Sequence, residues 1–252
     1  MTLVSLLSAV AGLVIGMLLN RVIIRLPREA ALIGAPHCTR CGRRMASWQY
    51  LPLFGWLIQG GKARCCGRRL HWMFPLVEFL MAVSLVVLAQ RYLATGMVAT
   101  FAYLGVVVAI LLVTGAIDWF HRFIYTLIML GATLAALIAS PFIAGHNLID
   151  AVVGAVIAGI AFVFFYVLAK LLFPGHAAPF GLGDVYLGIF IGAALGLTHL
   201  MPALFYGMLL AGLFSAAILI QRRRATNTGS PYISYGSFLC IGAVIYILIW
   251  GI

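Results

Sequence analysis

Eight apolar runs decide what this chain can fold into: residues 3–19, 75–93, 96–117, 123–144, 148–173, 185–200, 202–220 and 238–252. A helix needs about 20 predominantly apolar residues to cross the hydrocarbon core of a bilayer, and only elements that satisfy their backbone polar groups internally survive there. With 65% of its 252 residues apolar and 8% charged, and a mean hydropathy of +1.15, the chain is excluded from the soluble Rossmann, barrel and sandwich classes. The expectation is an all-α polytopic membrane protein with about eight transmembrane helices. The sixth and eighth runs are short, and the break between the sixth and seventh is expected just before Pro202.

The charges fix an expected orientation. There are 16 Lys and Arg against five acids, Glu29, Glu78, Asp118, Asp150 and Asp184, for a net charge of +11. If the N-terminus is outside, the inner loops are 20–74, 118–122, 174–184 and 221–237. Ten of the 16 basic residues then fall in the first loop, five more are Arg122, Lys170 and Arg222–Arg224, and Arg91 alone is outside. The positive-inside rule accounts for this distribution, so the basic balance implies a bilayer and no nucleic acid. Residues 1–19 lack a basic start and a small-residue cleavage site and read as a retained first span, not a signal peptide.

One polar block interrupts the pattern. The chain divides by composition into a first transmembrane helix at 1–19, a Cys-rich loop domain at 20–74, and a membrane domain at 75–252. The loop is too small for a large core and would be helped by a structural metal. Four of the five cysteines lie in it, as Cys38-x-x-Cys41 and the adjacent Cys65-Cys66. Paired knuckles of this kind hold tetrahedral zinc, and Gly42 and Gly67 follow them where tight turns require unusual backbone angles. Arg40, Arg43, Arg44, Arg64 and Arg68 favour ionised sulfur. The second pair is contracted, with Ala63 where a standard knuckle places its first cysteine. Either Cys65 substitutes through a distorted turn, or His37 or His71 completes the ligand set. Cys240, in the last span, reads as a small core residue.

Intramembrane acids are costly and default to function. Asp118 ends the third run and Asp184 ends Gly181-Leu-Gly183-Asp184 at the mouth of the sixth, both at the inner face under this topology. Two carboxylates at one depth suit an aspartic protease: held close together they cannot both ionise readily, so one takes a proton from water while the other donates to the scissile carbonyl. Gly181 and Gly183 are expected to let the backbone bend and an extended substrate approach. Glu78, one turn into the second run, is a candidate for pairing with a loop arginine or for binding substrate. Glu29 reads as a solvated charge, Asp150 as an interfacial residue or helix cap, and His121 as an interfacial histidine.

These residues carry a resemblance. Gly16 to Pro27 after the first span, the cysteine loop, Tyr50 to Phe54, Pro75 to Glu78, Ala116-Ile-Asp118, Gly181-Leu-Gly-Asp184 and Ser234 to Phe238 together resemble the type IV prepilin peptidases, a GxGD class of intramembrane aspartyl protease. The resemblance implies that Asp118 and Asp184 are catalytic, and that the substrates are prepilins or pseudopilins of pilus or type II secretion machines. Their basic leaders would be cut after a glycine at the cytoplasmic face of the inner membrane. It also implies that some members N-methylate the new N-terminal residue using S-adenosylmethionine, although no Rossmann-type signature is present. The chain departs from the family pattern at Tyr125, Thr126 and Tyr186. Competing readings are a peptidase without methyl transfer, a proton- or ion-coupled transporter using the same two aspartates, and a non-catalytic assembly scaffold.

Overall fold

The computed structural model describes residues 3–31, 34, 37, 38, 41–44, 46, 49, 51–172, 181–224 and 234–252. Arg40 and Tyr50, and most of the inner loops predicted at 174–184 and 221–237, lie outside the described residues, as do the Arg222–Arg224 side chains. Eight α-helices are described: α1 (Leu3–Arg25), α2 (Phe54–Ile58), α3 (Met73–Leu88), α4 (Val98–His121), α5 (Thr126–Ala139), α6 (Leu148–Leu172), α7 (Leu182–Arg224) and α8 (Tyr235–Ile249). Among the described residues there is no strand, only two isolated bridges in the cysteine loop. Five of the helical segments are long and apolar enough to cross a membrane, the last being Leu182–Ile218, and Thr126–Phe142 and Tyr235–Ile249 are shorter apolar helices. Large side chains such as Leu127, Phe142 and Ile149 are more than three-quarters exposed, as suits surfaces solvated by lipid.

By contacts the chain forms two compact units, Met1–Ala116 and Ile117–Ile252, with the boundary inside α4. In the first unit α1 packs on α3. The buried face of α1 is Ser5, Ser8, Gly12, Gly16, Asn20 and Ile23, a stripe of small and polar residues at helical spacing. Between membrane helices small residues let backbones approach so that dispersion and interhelical hydrogen bonds can act. The approach is tight: a Cβ on Gly12 would stand 2.5 Å from the Ala82 Cα, and one on Gly16 2.6 Å from the Glu78 Cα. One turn further, Asn20 replaces the glycine and donates from Nδ2 to Glu78 Oε1 and to the Phe74 carbonyl, both at 2.9 Å. Gly16→Val is therefore expected to force the helices apart and cost about 1–3 kcal/mol. Thermal unfolding in detergent should show a lowered midpoint, and an unchanged midpoint would contradict this packing.

The second unit is built on α7, which packs against α5, α6 and α8. Gly154 of α6 and Gly192 of α7 meet backbone to backbone, as do Gly207 of α7 and Gly242 of α8, and a Cβ on Gly188 would collide with the Phe162 ring. The helix break expected before Pro202 is instead at Gly196, the one non-helical residue in α7, with φ 75° and ψ 172°, and Pro202 lies inside the helix. The reason is a tertiary contact: a side chain at 196 would run into the Asp150 carboxylate and the His146 ring. Gly196 therefore supplies both the left-handed angle and the empty space. Asp150 does not cap α6, since the Asn147 side chain accepts the Asp150 N–H at 2.8 Å and the Asp150 carboxylate lies 3.8 Å from His146 Nδ1.

Candidate active site

Asp118 stands in the last turn of α4, within the second unit, and is only 6% exposed. Its Oδ2 accepts the Ser237 backbone N–H at 2.7 Å and the Ser237 hydroxyl at 2.9 Å. Ser237 is in the first turn of α8, where backbone N–H groups have no intrahelical acceptor, so the α8 N-terminus is a ready site for a carboxylate. Asp184 is held differently. It lies in the first turn of α7 and its Oδ2 accepts the Gly181 N–H at 3.1 Å while its own N–H bonds back to the Gly181 carbonyl at 3.1 Å. The carboxylate thus supplies the half of a capping box in which the third helical residue reaches back to the N-cap N–H, while the Gly181 carbonyl closes the turn.

Both carboxylates face one open point. A Cβ on Gly236 would stand 3.0 Å from Asp118 Oδ2 and 3.0 Å from Asp184 Oδ1, so those oxygens are at most 6 Å apart. The same Cβ would meet Ile124 Cδ1 at 2.9 Å, and one on Gly183 would meet Ile124 Cβ at 2.8 Å. Neither Gly181 nor Gly183 takes a positive φ. Gly183 is small because Ile124 packs on it, and Gly181 is exposed, with Asp184 Oδ2 at 3.7 Å and the Gly183 nitrogen at 3.8 Å from its vacant Cβ position among the described residues. Trp119, Phe214 and Phe238 form an aromatic cluster beside Asp118 and Ser237, with ring centroids 5.0–6.1 Å apart. His121 and Glu29 are exposed. Tyr125 precedes α5 as a cap residue without a side-chain cap bond, and its ring meets Phe123 edge-on at 4.7 Å.

Residue-by-residue reading of the sequence missed Ser237, Gly236 and Ile124. The available signal was Gly236-Ser237 immediately before the last apolar run, a small residue and a donor at a helix start.

Glu78 lies in the first unit and is 8% exposed. Among the described residues its carboxylate bonds are to Asn20 and to the Leu53 N–H, at 2.7 Å, rather than to a loop arginine.

The cysteine loop, also in the first unit, contains two matching turns. In residues 37–44 the Cys38 N–H bonds to the Arg43 carbonyl at 2.8 Å and the Gly42 N–H to the Cys38 carbonyl at 2.9 Å. In residues 62–69 the Ala63 N–H bonds to the Arg68 carbonyl at 2.8 Å and the Gly67 N–H to the Ala63 carbonyl at 2.7 Å. Each turn is closed by an isolated bridge, His37 with Arg44 and Lys62 with Arg69, and Gly42 and Gly67 take φ 72° and 66°. Ala63 thus occupies the place of Cys38 without distorting the turn, and Cys65 supplies the fourth sulfur from inside it. The four sulfurs of Cys38, Cys41, Cys65 and Cys66 lie within 4.8 Å of one another, with Cys41–Cys65 at 3.3 Å and Cys38–Cys66 at 3.9 Å. Tetrahedral zinc with 2.3 Å bonds needs sulfurs about 3.8 Å apart, so the set can hold such an ion. The group includes neither His37 nor His71, and His71 Nδ1 accepts the Met73 N–H at 3.2 Å. Crowding pushes the Cys65 thiol up to about 12, chiefly through its hydrogen bond with Cys41 and next through that with Cys38. A cation among the sulfurs reverses that preference by displacing protons.

Comparison with known proteins matches two stretches of the chain, one containing the cysteine loop and the other both aspartates. Residues 10–92 match the Bacterial Peptidase A24 N-terminal domain and residues 105–216 the Type IV leader peptidase family. A prepilin leader peptidase/N-methyltransferase of Pseudomonas putida is 31% identical over 97% of this chain and 90% of its own length. The Bacillus subtilis protein of the same name is 28% identical over 90% of each. A type 4 prepilin-like proteins leader peptide-processing enzyme of Escherichia coli is 26% identical over 94% of this chain and 91% of its own length. No solved structure matches. Two adjoining family matches and a 31% identical relative spanned nearly end to end leave one conclusion: this chain belongs to the type IV leader peptidase family.

Proposed function

We propose that this protein is a membrane-embedded aspartyl endopeptidase that removes the leader of type IV prepilins or pseudopilins after a glycine, with Asp118 and Asp184 as its catalytic pair. The observation that carries the reading is that both carboxylates, on different helices, face the one space left by Gly236. A water between them loses a proton to the ionised carboxylate while the protonated one donates to the scissile carbonyl oxygen. Ser237 fixes the orientation of Asp118, and the Gly181 N–H fixes that of Asp184. The exposed backbone at Gly181 leaves room for an extended substrate segment.

The rest of the assignment follows from the same reading. The active site and the cysteine loop face the cytoplasm of a bacterial inner membrane, with the N-terminus outside, which the one-sided distribution of basic residues supports. Residues 20–74 act as a loop domain in which Cys38, Cys41, Cys65 and Cys66 would hold structural zinc, and 75–252 carry the peptidase. The N-methyltransferase part of the relatives' names supports a second activity with S-adenosylmethionine.

The test is a mass-resolved assay in which purified wild type, Asp118→Asn and Asp184→Asn meet a prepilin bearing its leader, with and without S-adenosylmethionine. Wild type should cut after the leader glycine and either variant should not. A gain of about 14 Da only with the donor adds methyl transfer. Cleavage that survives both substitutions would remove the aspartates from the mechanism.

A further inference from the structure

The two aspartates are held unequally. Oδ2 of Asp118 accepts two hydrogen bonds, from the Ser237 N–H at 2.7 Å and the Ser237 hydroxyl at 2.9 Å, and Ser237 is 1% exposed. Asp184 accepts one among the described residues, the longer 3.1 Å bond from the Gly181 N–H to Oδ2, and Gly181 is exposed. Its Oδ1, the oxygen on the Gly236 side, meets no donor among the described residues. Donors that converge on one carboxylate oxygen favour the charged form, and short bonds do so more than long ones. A proton on Asp118 Oδ2 would point at a backbone N–H that cannot turn away, whereas one on Asp184 Oδ1 meets the space that both carboxylates share.

The surrounding charges divide the same way. The Arg122 guanidinium, just past the end of α4, attracts an ionised Asp118, while the charge felt by Asp184 is that of Asp118, which opposes a second negative charge beside it. α8 adds the Tyr235 hydroxyl and the Cys240 thiol, neither of them a cation, and the turn before α5 presents the apolar Ile124. We infer that Ser237 divides the labour of the pair: it holds Asp118 as the ionised base and leaves Asp184 to carry the proton. Ser237 is then a positioning residue that acts through Asp118. In the first step a water O–H bond breaks, its proton passes to the Asp118 carboxylate and its oxygen bonds to the scissile carbon, while the Asp184 proton moves to the carbonyl oxygen. Collapse of the diol returns one proton to Asp184 and passes the other from Asp118 to the leaving nitrogen as the C–N bond breaks. This division rests on the peptidase reading above and goes beyond it by giving each aspartate one role.

The test is the pH profile of kcat/KM for prepilin cleavage at low ionic strength, with full-length, metal-loaded wild type, Ser237→Ala, Ser237→Thr and Arg122→Asn in detergent micelles. The acid limb follows protonation of the base and the alkaline limb loss of the proton from the acid. Ser237→Ala keeps the backbone N–H but loses one donor to the carboxylate, so the base is protonated at higher pH. Its acid limb should rise by about one pH unit, slowing cleavage about tenfold on that side, with the alkaline limb moving less. Ser237→Thr retains the hydroxyl and should return the limb to its wild-type place. Arg122→Asn, at a φ of 54° that asparagine adopts readily, removes the attraction and should move the same limb the same way by less. Movement of the alkaline limb instead would give Asp118 the proton and overturn the division. A uniform loss of rate with both limbs in place would also overturn it, because a merely structural Ser237 predicts that and no more, as would an acid limb that stays displaced in Ser237→Thr. Cleavage with unmoved limbs overturns the division of roles alone. No cleavage by wild type at any pH overturns the peptidase reading and the division with it.

Discussion

Gly236→Ala abolishes leader cleavage while the protein still folds. The added Cβ would stand 3.0 Å from an oxygen of each aspartate and 2.9 Å from Ile124, closer than nearly all real Cβ contacts, so it fills the space where a water must sit and pushes the carboxylates apart. Displacing reacting groups by about 1 Å costs on the order of 100-fold, and excluding the nucleophile adds to that. The expected drop in kcat/KM is therefore at least about 100-fold, read by mass spectrometry of the released leader. Gly131→Ala is the matched control, because no atom lies within 4 Å of its Cβ position, and its rate should stay within about threefold of wild type. If Gly236→Ala also cleaves within threefold, the space beside Gly236 is not the reaction site.

Cys66→Ser empties the metal site and loosens the loop. Structural zinc in small domains contributes roughly 10 kcal/mol or more of folding free energy, and residues 37–69 have little apolar core to replace it. Metal analysis of protein purified without chelators should give about one equivalent for wild type and well under half for the variant. Limited trypsin digestion should cut first at the basic residues between 37 and 69. The matching turns make a sharper prediction: the double variant Ala63→Cys, Cys65→Ala retains the metal, because position 63 stands where Cys38 stands in the first turn. A full equivalent of zinc in Cys66→Ser would show that this sulfur is not a ligand.

The sequence made some of this legible and hid the rest for physical reasons. Apolar length alone located the helices, because the bilayer sets their minimum size, but it placed the interruption near Pro202. Proline is the usual breaker in water, whereas in α7 the determining contact is Gly196 against Asp150 and His146, residues distant in the chain. Asp118 and Asp184 stood out because isolated acids in apolar surroundings are rare. Ser237 did not, since a serine at a helix start has many ordinary uses, and its role depends on α8 meeting the end of α4. Gly12 and Gly16 are visible as a pair at helical spacing, yet only the fold shows which helix they press against. Glu78 was open between two partners, and Asn20, four residues beyond Gly16, turned out to be one of those that hold it.

The two turns of the cysteine loop bear on how such sites should be sought. Their common element is an eight-residue frame closed by a bridge and carrying a left-handed glycine at its sixth position, 37–44 and 62–69. Sulfur is an occupant of that frame: it stands at the second position of one turn and the fourth of the other, while the bridge and the two hydrogen bonds that the turns share are kept. A search keyed to the distance between cysteines discards the second turn. One keyed to the frame retains it, and would accept related chains whose ligands have drifted while the fold that presents them has not.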